Sequence, residues 1–517
     1  MIRDVTDAPQ LTIEADAGPS DHLGRGGGSD GDVRRSGSGS GVGSGSGSRV
    51  SARAGYLTMF DFFRVAVCAC VLGQHSFLWT DMSSNVVGTG FITMLHFTRN
   101  AFFFLSALVV CYAQITRPRS LWGFWTRRYV QIGVPYLAWT VIYVVFTILR
   151  PGGAWDQTWA YFWTDIRTGY YQLYVIVVLF QFYLVFPFFL KLLQATSART
   201  HVLIMSLSVA IVLFIGVVLH YNPDLGVVGH AVHDIGSRWV WSRNLVSYQV
   251  FFVAGVLVAY HFDRVMGFVQ RWHSQILMVS AGVGVGTLLW YMVVIWQGAT
   301  LSSASDIFEP IAVLWSLGAI AGMFALSWQW DQRRARRAAL SGMAASQSPD
   351  GAPRTGLLSR RGRPRLLSIT YLAELTGGFY FCHILFINMI RAILYSSLIG
   401  GEHLPWPIRT ATFYVGTAVV AVTFVSLITR TPLRWVLGGP VRAEQRERDN
   451  EEVALRAAHE AELAHVGAMA GSGAAAGGGA GARGGAVNGG GAVNGGTEGG
   501  GLPPTTSGSV VEQRPRS

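Results

Sequence analysis

Charge is scarce in this chain. Only 13% of its residues are Asp, Glu, Lys or Arg, against roughly 25% in an ordinary soluble protein. Half are hydrophobic and the mean hydropathy is +0.35. The length alone would allow several soluble domains, but that composition argues for one polytopic membrane bundle. Lysine is almost missing: Lys191 is the only one. The net charge of +11 therefore rests on arginine. Those arginines sit in short connections between apolar runs, which is what membrane topology requires, so no nucleic-acid partner is expected. Cysteine is scarce too. Cys68, Cys70, Cys111 and Cys382 all fall inside apolar runs, with neither zinc spacing nor a disulfide framework. The first 55 residues are polar, which excludes a cleavable signal at the start and makes the first apolar run an uncleaved anchor.

What is present is a series of apolar runs, at about 57–79, 91–114, 126–149, 171–192, 202–220, 245–261, 275–296, 308–328, 370–397 and 409–428. They predict an all-α integral membrane protein of about ten transmembrane helices, carried by residues 56–430. Residues 1–55 read as a disordered Gly/Ser-rich tail. Residues 431–517 read as a charged segment, with a short exposed helix near 443–465, followed by a low-complexity tail. Arginines cluster before the first run, between the second and third, and at 333–365 after the eighth; they also follow the fourth, sixth and tenth runs. Asp81, Asp156, Asp165, Asp224, Asp234 and Asp306 fall on the alternate side. The bias of basic residues toward the cytoplasm predicts that both termini are cytoplasmic, with the chain in the cell membrane. Gly282–Gly286 and Gly318–Gly322 have the spacing of close helix packing.

Two ionisable residues interrupt the first run. Arg64 and His75 are eleven positions apart, which returns to within roughly 20° of the same helix face, roughly 16 Å further along the axis. A cation at the centre of a span costs roughly 2.5–3.5 kcal/mol on insertion scales. One polar stripe in one span therefore points to a cavity, although a snorkelling arginine and a hydrogen-bonded core histidine would also satisfy the spacing.

Four stretches extend this pattern. The first run reads Asp61-Phe62-Phe63-Arg64, then ten residues to His75. The second contains Phe102-Phe103-Phe104-Leu105-Ser106. The third opens Phe124-Trp125-Thr126-Arg127-Arg128 and continues to Pro135-Tyr136-Leu137. The ninth contains Phe379-Tyr380-Phe381-Cys382-His383. In order and spacing these resemble the membrane acyltransferase-3 family, as do Tyr171-Gln172-Leu173-Tyr174 with Tyr183 and Pro187, and Phe252 with Gly255. Three positions depart from it: Ala107 for glycine, Gln131 for a second arginine, and Gly377 for an aromatic or polar residue.

The resemblance implies transfer of an acyl group, acetyl or another short chain, from cytoplasmic acyl-coenzyme A to a hydroxyl. The acceptor would be an extracytoplasmic glycan or a glycosylated or polyketide metabolite. Acyl-CoA would be a co-substrate, with no tightly bound cofactor. His75 would serve as base or transient acyl carrier. Arg64, always charged, suits a phosphate or carbonyl oxygen, and His383 would be a second titratable group. Arg127, Arg128 and Asp61 would serve the donor side, Tyr171 and Gln172 the acceptor. Ser106 and Tyr380 would line the cavity, although Ser106 could instead bond back to its own helix. Arg238 and Arg243, beside Trp239 and Trp241, could hold a sugar or an anionic acceptor, or could anchor an interface. His220, His230, His233 and Asp234 match no metal spacing, so no metal is expected. A transporter of an acylated molecule or polysaccharide, or a structural partner in glycan assembly, would use the same apolar bundle. The oligomeric state is not encoded in these patterns.

Overall fold

The computed structural model describes residues 57–80, 84–150, 153, 155–221, 238–346, 368–396 and 400–438. The two tails, the charged segment at 443–465, and His230, His233 and Asp234 lie outside the described residues, as do Asp81, Asp224 and Asp234 of the charge pattern. Among the described residues every regular element is an α-helix or a short 3-10 turn.

The long apolar helices are α1 (Leu57–Trp79), α2 (Val86–Leu95), α3 (Phe97–Thr116) and α4 (Leu121–Ile148). A short α5 (Thr158–Thr168) precedes α6 (Tyr174–Ala195) and α7 (Ala198–Tyr221). Then follow α8 (Gln249–Tyr260), α9 (Phe262–Trp296), α10 (Pro310–Ser346), α11 (Ile369–Leu394) and α12 (Trp406–Ile428). Polar caps fix several starts. Asn85, Ser120 and Ser368 accept hydrogen bonds from the backbone N–H of Gly88, Gly123 and Tyr371, opening α2, α4 and α11.

Among the described residues nine helical stretches are long and apolar enough to cross a membrane. The remaining expected span, the sixth, is α8, of 12 residues, only about 18 Å at 1.5 Å per residue. It nevertheless runs between opposite ends of the bundle. The Tyr248 ring, just before it, lies 5.0 Å from the Arg99 guanidinium at the start of α3. Phe262, just after it, meets Phe60 near the start of α1 and Tyr112 near the end of α3. The alternation of directions is therefore kept by a helix shorter than a bilayer core of roughly 30 Å.

Other boundaries moved. The second run is two helices meeting at His96. The polar stretch from Arg333 begins inside α10, not in a loop, because its Ala, Arg, Leu and Met residues favour helix. The aromatic α5 was not expected as a helix, because its 11 residues include Asp165, Arg167 and three threonines that interrupt the apolar pattern. The glycine pairing also differs from its expected form. Gly318 and Gly322 do pack, on Val283 and Ser280 of α9. On α9, however, the tight residue is Gly284, against Trp315, while Gly282 and Gly286 are open. The contact face is set one register away from the spacing motif. His220 lies in the last turn of α7. Its ring nitrogens meet Asp306 at 2.8 Å and Glu309 at 2.5 Å, tying α7 to the start of α10.

The α3–α8 contact positions the centre of the molecule. Gly255 of α8 lies directly on the Phe104 carbonyl of α3, and a Cβ there would also come 2.9 Å from the Ala107 Cβ. Ala107, larger than the glycine of the resemblance, leaves no spare room. Gly255→Ala should therefore lower stability by about 1–3 kcal/mol through overpacking. Gly267, with nothing within 4 Å, is the control. Thermal unfolding in detergent checks this: equal midpoints for the two alanine variants would show that α3 and α8 do not need the close approach.

Candidate active site

One cavity of about 500 Å³ lies inside the bundle. α1 contributes Arg64, Gln74 and His75 to its wall, α3 contributes Arg99 and Ser106, and α4 contributes Arg128. Tyr171, Gln172 and Tyr174 enter from the start of α6, Arg243 from the turn before α8, and Tyr380 and His383 from α11. The stripe formed by Arg64 and His75 thus faces inward. Asp61 is buried one turn before Arg64, its carboxylate 4.0 Å from the guanidinium. Arg127 is exposed and outside the wall, as is Gln131. Helical rotation separates Arg127 from its neighbour Arg128, which lines the cavity.

The two imidazoles meet. The His75 and His383 rings are 5.3 Å apart, and the Tyr171 ring is 5.8 Å from His75. His383 Nδ1 lies 3.1 Å from the Phe379 carbonyl and 2.8 Å from that of Tyr380. Carbonyls only accept, so Nδ1 carries the proton and the neutral ring's lone pair is on Nε2. That Nε2 is buried without a hydrogen-bond partner among the described residues, and so is His75 Nδ1. Buried polar atoms normally find partners. Here two unsatisfied ring nitrogens share one cavity, which is the arrangement expected of groups that act on a bound molecule.

The surrounding shell is rigid. Gln172 donates to the Tyr143 hydroxyl at 2.7 Å and to the Phe381 carbonyl at 3.3 Å. Tyr380 donates to the Gln172 carbonyl at 2.6 Å and stacks on Phe102 at 5.3 Å. Gln172 thus ties the α6 start to α11 rather than presenting its amide nitrogen to the cavity. Gly377 also lines the wall, and a Cβ there would come 3.4 Å from the Gly438 carbonyl. The fold continues past Arg430 to reach this point: Trp139 Nε1 donates to the Leu437 carbonyl at 3.3 Å.

Sequence reasoning did not single out Gln74, His96, Thr98 or Arg99. Arg99 is an ionisable residue inside an apolar run, the same signal that singled out Arg64. His96, Gln74 and Thr98 form a closed chain. His96 Nε2 donates to the Ser305 carbonyl at 3.0 Å, Gln74 Nε2 donates to His96 Nδ1 at 3.1 Å, and Thr98 donates to Gln74 Oε1 at 3.0 Å. Only the tertiary contact with Ser305 makes that visible.

A cavity with two facing imidazoles and several arginines, inside a bundle of long apolar helices, belongs to an integral membrane protein. The profile of the acyltransferase-3 family, described as an acyltransferase domain, matches residues 58–430. The chain belongs to that family and is an acyltransferase. No curated protein and no solved structure matches it significantly.

Tyr171 holds a left-handed backbone, with φ of 42°. A side chain with a Cβ is strained there by about 1 kcal/mol or more, which glycine avoids. Tyr171→Gly should therefore unfold at a higher temperature than Tyr171→Ala, the reverse of the usual order, by about 1 kcal/mol. A more stable alanine variant would mean that the loop relaxes out of this conformation.

Proposed function

We propose that this acyltransferase moves a short acyl group from acyl-coenzyme A to a hydroxyl of a glycan or of a glycosylated or polyketide metabolite, with the acceptor on the extracytoplasmic side. The observation that carries the reading is the facing His75–His383 pair, each ring with an unsatisfied buried nitrogen, in a cavity that also holds Arg64 and Arg128.

The chemistry follows from these groups. A neutral imidazole takes the proton of the acceptor hydroxyl as the oxygen attacks the thioester carbonyl. The tetrahedral oxyanion collapses, the carbon–sulfur bond breaks, and the proton passes to the departing thiolate. In a two-step variant His75 attacks first, releases the thiol, and then gives the acyl group to the hydroxyl. Distance separates the roles of the charged residues. Arg64 is roughly 16 Å along the helix from His75, too far to touch an oxyanion formed beside the imidazole. It belongs with Arg128 at the donor's phosphate-bearing end, where a planar guanidinium fork binds phosphate oxygens in pairs.

The sequence bias of arginine places that end in the cytoplasm, with both termini there, in the cell membrane. Arg119, between α3 and α4, and Ser302, between α9 and α10, lie at opposite ends of the bundle by helix direction. In whole cells an impermeant thiol reagent should label a cysteine at position 302 and spare one at 119 (Ser302→Cys, Arg119→Cys). The reverse pattern would put the donor site on the wrong face.

His75→Ala should reduce transfer of radiolabelled acetyl from acetyl-coenzyme A by about a hundredfold or more, the loss expected of a general base. Arg64→Lys should raise the donor concentration needed for half-maximal rate while sparing the rate at saturation, because lysine keeps the charge and loses the fork. Near-normal transfer by a folded His75→Ala protein would remove the imidazole mechanism. Wild-type donor dependence in Arg64→Lys would remove Arg64 from the donor site, and absence of transfer by the unaltered protein in any assay would favour a transporter.

A further inference from the structure

The cavity carries positive charge at its other end too. Arg99 projects from the first turn of α3, and Arg243 from the turn before α8. With Arg64 and Arg128 they make four guanidiniums in a described wall that contains no Asp or Glu. Arg99 Nη1 donates to the Tyr174 hydroxyl at 2.6 Å, and its guanidinium sits 6.0 Å from the Tyr174 ring and 5.0 Å from that of Tyr248. Its Nε is buried and without a hydrogen-bond partner among the described residues. Arg243 sits 5.3 Å from the same Tyr174 ring and 4.0 Å from Trp239. It is oriented by hydrogen bonds from Nε to the Thr168 carbonyl at 3.1 Å and from Nη1 to the Trp239 carbonyl at 3.2 Å and the Ser242 hydroxyl at 3.0 Å.

Neither arginine is paired with a carboxylate among the described residues. Elsewhere in the protein the corresponding need is met: His220 has Asp306 and Glu309. Cation–π contacts and backbone carbonyls hold the two guanidiniums in place but leave their charge unneutralised. A guanidinium removed from water without a counter-ion is costly, and the cost is recovered when an oxyanion binds. Arg99 and Arg243 flank one tyrosine ring, so an anion seated beside that ring is reached by two planar forks.

We infer that Arg99 and Arg243 form an oxyanion subsite for the acceptor, so that the hydroxyl compound acylated here carries a carboxylate or a phosphate group. This rests on the reading of the cavity as the acyl-transfer site. It places the two anionic substrates at opposite ends, the donor's phosphates at Arg64 and Arg128 and the acceptor's oxyanion at Arg99 and Arg243. The imidazoles of His75 and His383 lie between them. Selection would then act through charge: a neutral sugar leaves two partly buried cations uncompensated, and a charged one does not.

The test uses the full-length protein in nanodiscs and three probes: methyl β-glucuronide, glucose 6-phosphate and neutral methyl β-glucoside. Thermal unfolding is followed as each is titrated, with and without saturating coenzyme A. One or both charged probes should raise the unfolding midpoint while the glucoside does not. A response to the glucuronide alone assigns a carboxylate, and a response to the phosphate alone assigns a phosphate. Arg99→Gln should weaken the response about tenfold or more, the usual loss when one partner of a charged hydrogen bond is removed. Arg243→Gln gives a second reading should Arg99→Gln fail to fold. The response should persist in saturating coenzyme A. Equal stabilisation by the glucoside, no response to any probe, wild-type affinity in both variants, or loss of the response to coenzyme A would each overturn the subsite. The last result would assign these arginines to the donor. Charged-probe binding that needs Arg99, in a protein that transfers no acyl group, would retain the subsite and remove the enzymatic reading.

Discussion

Ionisable groups inside an apolar bundle must be answered by protein or by ligand, and most of this structure can be understood from how that requirement is met. His96 is closed off by Gln74 and Ser305. His220 is closed off by two carboxylates. His201 meets His261 at 2.9 Å and the Leu193 carbonyl at 3.0 Å. Other groups stay open, and among the described residues four of them, on His75, Arg99, Gln172 and His383, line the cavity. The free nitrogens of His75 and His383 and the Nε of Arg99 all belong to residues of the same cavity wall. Those in the wall face a space large enough for a substrate, which could supply the missing partners.

Packing keeps that space open. Two aromatic-rich cores flank it, one built on α3, α6 and α8 and the other on α4, α11 and α12. Phe102 and Tyr380 pack against both, and their stacked rings bridge the cores at the cavity wall. Close approach at Gly255 brings the short α8 against α3 and thereby sets Arg99 beside Tyr248. The shortness of α8 and the break at His96 both fall where polar side chains enter the interior. Neither would be tolerated by a helix whose only task was to cross lipid, since each leaves backbone groups that need partners from neighbouring elements.

Much of the candidate site was legible in the order of residues because a helix has a fixed pitch. Eleven steps return to one face, so Arg64 and His75 could be assigned a common stripe without coordinates. The same reasoning fails for Arg127 and Arg128, which are adjacent in the chain but differ in outlook, one exposed and one in the wall. It fails again for the glycine pairs, because spacing gives candidate faces but the neighbouring helix chooses between them. Gln172 also illustrates the limit: it lines the cavity, but only the structure shows that its amide nitrogen is committed to Tyr143 and Phe381 while its Oε1 has no partner among the described residues.

The sequence by itself determined the class: scarce charge, long apolar runs and arginine-rich connections leave only a helical membrane protein, because hydrocarbon admits few other ways to satisfy a backbone. It also determined which helix carries the first imidazole and which carries the second. Only the tertiary structure decided that those imidazoles face each other, and that Arg99 and Arg243 stand around one tyrosine ring. It alone decided, too, which buried polar atoms lack partners. Those outcomes depend on how helices distant in the chain rotate and approach, and that is set by side-chain packing between them, which no local periodicity encodes.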